Sequence, residues 1–259
     1  MRRKQTVTKP SVASTSLDIT TPDGVADAYL SHPADGTPHP GVLLYMDAFG
    51  LRPWLKQMAD RLAAAGYTVL VPNVFYRHGH APVFDLPEFI DTAERPDIFQ
   101  QIMPVMQSLT PELAMRDARA YLDWLAASPL VADGPVGITG YCMGAGLALR
   151  TTGTYPERVA AMAGFHGGRL ATESPDSPHL LADRITAEVY FGHADQDRSN
   201  PAEQIDLLDK ALDAAGVRHR SEVYEGAHHG FTQADTSAHN PAAEDRHWRE
   251  LLALLNRAL

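Results

Sequence analysis

The sequence predicts an α/β fold with a mostly parallel central sheet and helices on both faces, and three observations carry that prediction. Short β-type runs alternate with helical patterns along the chain, the order in which helical crossovers build parallel sheets. Hydrophobic residues make up 44% and charged residues 21% of the 259 residues, ordinary usage for a globular chain. No linker divides the chain, and a single core is common at this length in α/β folds.

The opening MRRKQTVTKPSVASTS is basic and polar and lacks the apolar segment of a signal peptide. Residues 1–15 are expected to form a flexible tail, with one domain over residues 16–259. Candidate strands at 16–20 and 26–31 flank TTPDG, whose Pro22 and Gly24 supply turn geometry for an antiparallel edge pair. Further strands are expected at 42–46, 68–71, 136–139, 159–163, 188–191 and 221–224. Helical periodicity is clearest at 53–65, where Trp54, Leu55, Met58 and Leu62 share a face and Gly66 ends the run. The stretch 111–127 repeats that design with Pro111 in the first turn, and helices follow at 143–152, 201–215 and 241–258. Residues 72–110, rich in His, Pro and aromatics, form an excursion long enough for a lid or a pocket wall.

A formal charge of -10 argues against nucleic acid and anionic membrane as partners, since both call for a basic face. No apolar run approaches the roughly 20 residues that span a bilayer. The chain's one cysteine rules out an internal disulfide framework, so a soluble, cytoplasmic protein is expected.

That cysteine lies in GITGYCMGAGLAL, residues 137–149. Gly-x-Cys-x-Gly between a strand and a helix is the pattern of an elbow that lifts a nucleophile out of the sheet's carboxyl edge. A helix N-terminus behind Cys142 favours its thiolate. Such a nucleophile needs a base, and the base an orienting acid, in the chain order nucleophile, Asp, His. The order is met by HADQD after one strand and AHHGF after the next. Asp195 is favoured as the acid because it closes the Gly-x-x-Asp after a strand, with Asp197 the alternative. His229 is favoured as the base because it directly precedes Gly230-Phe231, with His228 the alternative. His166, in GFHGG, is either a pocket residue or a structural one. Despite 12 histidines there is no HExxH helix, and GYCMGAG lacks the GxGxxG register, so neither metal nor cofactor is expected.

Taken with MDAFG ahead of a Pro-started helix, GYCMGAG, Gly-x-x-Asp and GAHHGF resemble the dienelactone hydrolase family of α/β-hydrolases, related to carboxymethylenebutenolidase, from about Asp18 to the C-terminus. The resemblance implies an α/β-hydrolase fold and a cysteine hydrolase that cleaves a small-molecule ester or lactone, as a monomer or homodimer. It implies Cys142 as nucleophile, Asp195 as acid and His229 as base, with the amides of Met143 and Ala48 forming the oxyanion hole. Asp47 stands where the family has a glutamate that helps set the thiol's ionisation. Arg77 matches the first of two arginines that hold a substrate carboxylate, and Gln233 stands where the second is expected. A carboxylesterase with no anion preference and a non-catalytic binding or sensing protein are the alternative readings.

Overall fold

The computed structural model describes residues 11–91 and 96–259. Its eight strands are β1 (Val12–Thr21), β2 (Gly24–Pro33), β3 (Gly41–Tyr45), β4 (Thr68–Pro72), β5 (Val136–Tyr141), β6 (Val159–Phe165), β7 (Glu188–Ala194) and β8 (His219–Tyr224). They form one sheet in the order β1-β2-β4-β3-β5-β6-β7-β8. The pairs β1–β2 and β2–β4 are antiparallel, and every pair from β4 to β8 is parallel. The strands β3, β4 and β5 are buried along their whole length and carry continuous apolar runs such as VLLY and TVLV, as central strands covered on both faces require. Strand β1 starts at Val12, so residues 12–15 of the expected tail belong to the sheet, paired with Leu30 to Pro33. The rest of that tail up to Pro10 lies outside the described residues.

The helices among the described residues are α1 (Pro53–Ala64), α2 (Pro96–Ser108), α3 (Pro111–Ala127), α4 (Met143–Thr154), α5 (Ala202–Ala214) and α6 (Pro241–Ala258). Helices α1 and α6 lie side by side, with the Arg61 guanidinium 4.3 Å from the Trp248 ring, and α3 and α4 pack together against the other face. Helix α3 shows how local sequence sets an element. Thr110 caps it by accepting the Leu113 N–H, Pro111 begins its first turn, and Ala114, Ala118, Tyr121, Leu122 and Leu125 turn inward. Among the described residues no helix is long and apolar enough to cross a membrane.

The 72–110 excursion contains a short 3-10 turn at Tyr76–His78 and the helix α2, which was not expected from the sequence. Pro104 sits inside α2 and removes one backbone donor, which interrupts the signal that periodicity would give. Ile98 and Ile102, one turn apart, are nevertheless buried, while Phe99 and Met103 remain exposed.

Candidate active site

The carboxyl ends of the parallel strands converge on one edge of the sheet, where open α/β sheets bind ligands. Strand β3 delivers Asp47 and Ala48 there, β5 delivers Cys142, β6 delivers His166, β7 delivers Asp195 and Asp197, and β8 delivers His229. The turn after β5 is a sharp elbow. Cys142 has φ 55° and ψ -118° at the N-cap of α4, a left-handed conformation that a residue with a Cβ adopts only under strain. The flanking glycines leave no room for a side chain. A Cβ on Gly140 would lie 2.0 Å from the Gly144 carbonyl oxygen, and one on Gly144 would lie 2.5 Å from that of Met46. The Cys142 N–H is taken by the Phe165 carbonyl at 3.1 Å. Met143 occupies the first position of α4, where helix geometry leaves the N–H without an intrahelical acceptor.

Cys142 is half-buried and opens into a cavity of about 350 Å³ lined also by Asp47, Ala48, Phe49, His166 and His229, within the range of small-molecule sites. His229 shares the cavity with Cys142, whose thiol acts on it electrostatically, and its ring is hydrogen-bonded to Asp197. On the Asp197 side, Nδ1 lies 2.6 Å from Oδ2. The other Asp197 oxygen accepts the Ser199 N–H at 2.8 Å and the Ser199 hydroxyl at 2.7 Å. Burial opposes charge on the imidazole, but Cys142 and Asp197 outweigh it and hold the His229 pKa well above the usual histidine range. Burial opposes charge on Asp197 as well, yet His229 and Ser199 keep its pKa below the ordinary carboxylate value. His228, by contrast, is exposed.

The expected pairing of Asp195 with His229 is therefore corrected. Strand β7 runs on to Ala194, three residues past the expected end at Phe191, so Asp195 directly follows the strand. Its N–H donates to Ala227 O at 2.7 Å and its Oδ2 accepts the Gly226 N–H at 2.9 Å. Gln196 then takes a left-handed turn at φ 54°, after which Asp197 faces His229.

Arg77 is corrected too, since it does not line the Cys142 cavity. Its guanidinium is clamped on buried Asp117 through two bonds of 2.7 and 2.9 Å and on Asp23 at 2.6 Å. It ties the β4 end to α3 and the β1–β2 turn. Asp47 does reach the cavity, but both its oxygens accept from Arg52, at 2.7 and 3.0 Å, and Oδ1 also accepts the Phe49 N–H. Burial pushes its carboxyl upward against the pull of Arg52.

Sequence reasoning passed over Arg52, a buried residue whose position at a helix start resembles any surface arginine. His166 is a pocket residue: fully buried at φ 39°, it bonds Thr232 through Nε2 at 2.8 Å and stands edge-on to His229 at 5.4 Å. Burial, with His229 and His247 nearby, lowers its pKa well below the usual range and keeps it neutral. Among the described residues no cluster of three or more metal-ligating side chains occurs.

The family model of the dienelactone hydrolases matches residues 26–259. Carboxymethylenebutenolidase of Rhodococcus opacus is 28% identical over 235 residues, covering 89% of this chain and 86% of that protein. A dienelactone hydrolase-like promiscuous phosphotriesterase from metagenomic libraries superposes with a TM-score of 0.80 at 25% identity, covering 96% and 99% of the two chains. A Klebsiella pneumoniae structure named for dienelactone hydrolase gives 0.82 at 20% identity over 95% and 99%, a likeness of fold.

Proposed function

Because this chain belongs to the dienelactone hydrolase family, we propose that it is a carboxylic ester hydrolase, cleaving a small ester or lactone through Cys142, His229 and Asp197. The observation that carries this reading is the placement of His229 between Cys142 at its strained elbow and Asp197, 2.6 Å from Nδ1.

The chemistry follows from those positions. Asp197 fixes the imidazole so that Nδ1 bears a proton and Nε2 faces the thiol. For attack the thiol proton of Cys142 passes to His229, a transfer favoured by the raised His229 pKa. The thiolate sulfur attacks the ester carbonyl, and negative charge moves onto the carbonyl oxygen, where the N–H groups of Met143 and Ala48 receive it. As the C–O bond breaks, His229 hands its proton to the leaving alkoxide, leaving a thioester on Cys142. Water then attacks the thioester carbonyl while His229 takes its proton, and the C–S bond breaks to release the acid and restore the thiolate. A thiolate leaves a tetrahedral centre readily, so the forward path needs a stabilised leaving group, as enol and aryl esters have. A reducing cytoplasm suits this chemistry because it preserves the thiol.

Cys142→Ala is expected to abolish turnover of p-nitrophenyl acetate while the protein keeps its fold by circular dichroism. Wild-type turnover by that variant would overturn the nucleophile assignment.

A further inference from the structure

The cavity above Cys142 has a larger neighbour of about 830 Å³, lined mainly by apolar side chains including Trp54, Val83, Phe84, Leu86 and Phe89. Phe49 lines both spaces, so the two adjoin at its side chain. Its ring stacks obliquely on Phe99 at 5.7 Å and lies under the Arg52 guanidinium at 5.3 Å. Phe89 is 56% exposed and Phe99 38% exposed, so each cavity has an aromatic at its lip. Exposed aromatics grouped at a cavity mouth mark a binding surface more often than chance does.

Charge divides in the opposite sense. Among the described residues lining the two cavities, Arg52 is the one permanent cation, and its N–H groups are already spent. Nε donates to Asp235 at 2.6 Å, Nη1 to Asp47 and Gly50 O at 2.7 and 3.3 Å, and Nη2 to Asp47, Gln233 and Asp235 at 3.0 to 3.1 Å. Two carboxylates thus surround one guanidinium. Gln233 is committed as well, its Oε1 accepting from Arg52 and its Nε2 donating to Thr232 Oγ1. Arg77 is bound to Asp117 and Asp23. Arg150 and Arg169 line a third cavity that shares no residue with the one above Cys142. A carboxylate entering the Cys142 cavity would shed water with no arginine or lysine among the described lining residues to meet it and with Asp47 in the same wall.

From the saturated Arg52 and the apolar cavity behind Phe49, we propose that the substrate is a neutral ester with a bulky aromatic substituent, whose carbonyl sits at Cys142 and whose ring occupies the larger cavity. The inference rests on the hydrolase reading above and adds the substrate class. Specificity then comes from apolar contact on one side and rejection of anions on the other.

The test compares kcat/KM for vinyl acetate, vinyl butyrate, mono-vinyl succinate, 2-naphthyl acetate and vinyl 2-naphthylacetate. The two naphthyl esters place the ring on opposite sides of the ester bond. Wild type is expected to favour vinyl butyrate over mono-vinyl succinate by about tenfold or more. Leu86→Trp, which fills the larger cavity, should lower kcat/KM for at least one naphthyl ester about fivefold or more relative to vinyl acetate. Phe89→Ala, at an exposed site that does not endanger folding, should weaken the same naphthyl ester through KM. The inference is overturned if the succinate ester is cleaved as well as the butyrate, or if Leu86→Trp slows small and bulky esters alike. Either outcome leaves the role of Cys142 standing, whereas a fully active Cys142→Ala would sink the hydrolase reading by itself.

Discussion

At the scale of single residues, Asp197 lies within hydrogen-bond reach of His229, the proposed base, and would orient its ring and hold its Nδ1 proton. Its Oδ1 is saturated by the backbone and hydroxyl of Ser199, which fixes the carboxylate plane and leaves Oδ2 for His229. Asp197→Asn is expected to lower kcat by about 10²- to 10⁴-fold with little change in KM, the loss seen when an orienting acid is neutralised. Asp195→Asn should stay within about twofold of wild type, since its carboxylate receives only the Gly226 N–H among the described residues. Steady-state kinetics on an activated ester separates the two. The pair also links stability to pH. The Asp197 pKa is lowered from 3.8, so its contribution is full above that value and is lost as pH falls through the folded one. The His229 pKa is raised from 6.5, so its contribution is full below that value and is lost as pH rises through the folded one. The Tm gap between wild type and Asp197→Asn should therefore be widest between pH 3.8 and 6.5 and narrow toward alkaline pH. Thermal melts at several pH values measure it. Asp195 and Asp197 were hard to tell apart in HADQD because both follow a strand and the left-handed turn at Gln196 has no sequence signature of its own. His229 is favoured over His228 in the sequence by its place before Gly230-Phe231, and in the structure His228 is exposed while His229 meets Asp197.

At the scale of elements, the elbow and the Arg77 clamp carry different loads. Strand, glycine-flanked turn and helix around Cys142 were legible because the requirement for glycine at 140 and 144 is purely steric. All eight strands were legible as short β-type runs, with ends displaced by up to four residues, because strand termini depend on neighbouring strands rather than local preference. Helix α2 was hidden by Pro104, and the use of Arg77 was hidden because its partners Asp117 and Asp23 are 40 and 54 positions away. The clamp makes a clear prediction. Asp117 is almost fully buried, so Arg77→Met strands its charge with only the Tyr76 hydroxyl, at 3.0 Å, as a partner among the described residues. Loss of about 1–3 kcal/mol in urea unfolding is expected, below the 3–5 kcal/mol of a fully buried pair because Arg77 is partly exposed. The same variant should keep kcat/KM within about twofold of wild type for neutral and acidic esters. A selective loss on acidic esters would return Arg77 to the substrate site.

At the scale of the whole molecule, the parallel strands bring residues from 47 to 229 to one sheet edge, which is why chain order pointed to the right loops of a site scattered through the sequence, though not to Asp197 within its loop. Alternation of runs predicts a mostly parallel sheet but not its strand order, and that order fixes where Cys142, Asp197 and His229 meet. The size and polarity of the space above the thiol were not legible, because side chains from the 72–110 excursion and from the loop after His229 build it together. In the proposed mechanism Cys142 carries the acyl group. Acid-quenching the enzyme during turnover of p-nitrophenyl acetate, followed by proteolysis and mass spectrometry, tests it directly. One acetyl group on the peptide containing Cys142, in wild type and not in Cys142→Ala, is the predicted result. Turnover with no acyl group on that peptide, or with an acyl group on another residue, would contradict it.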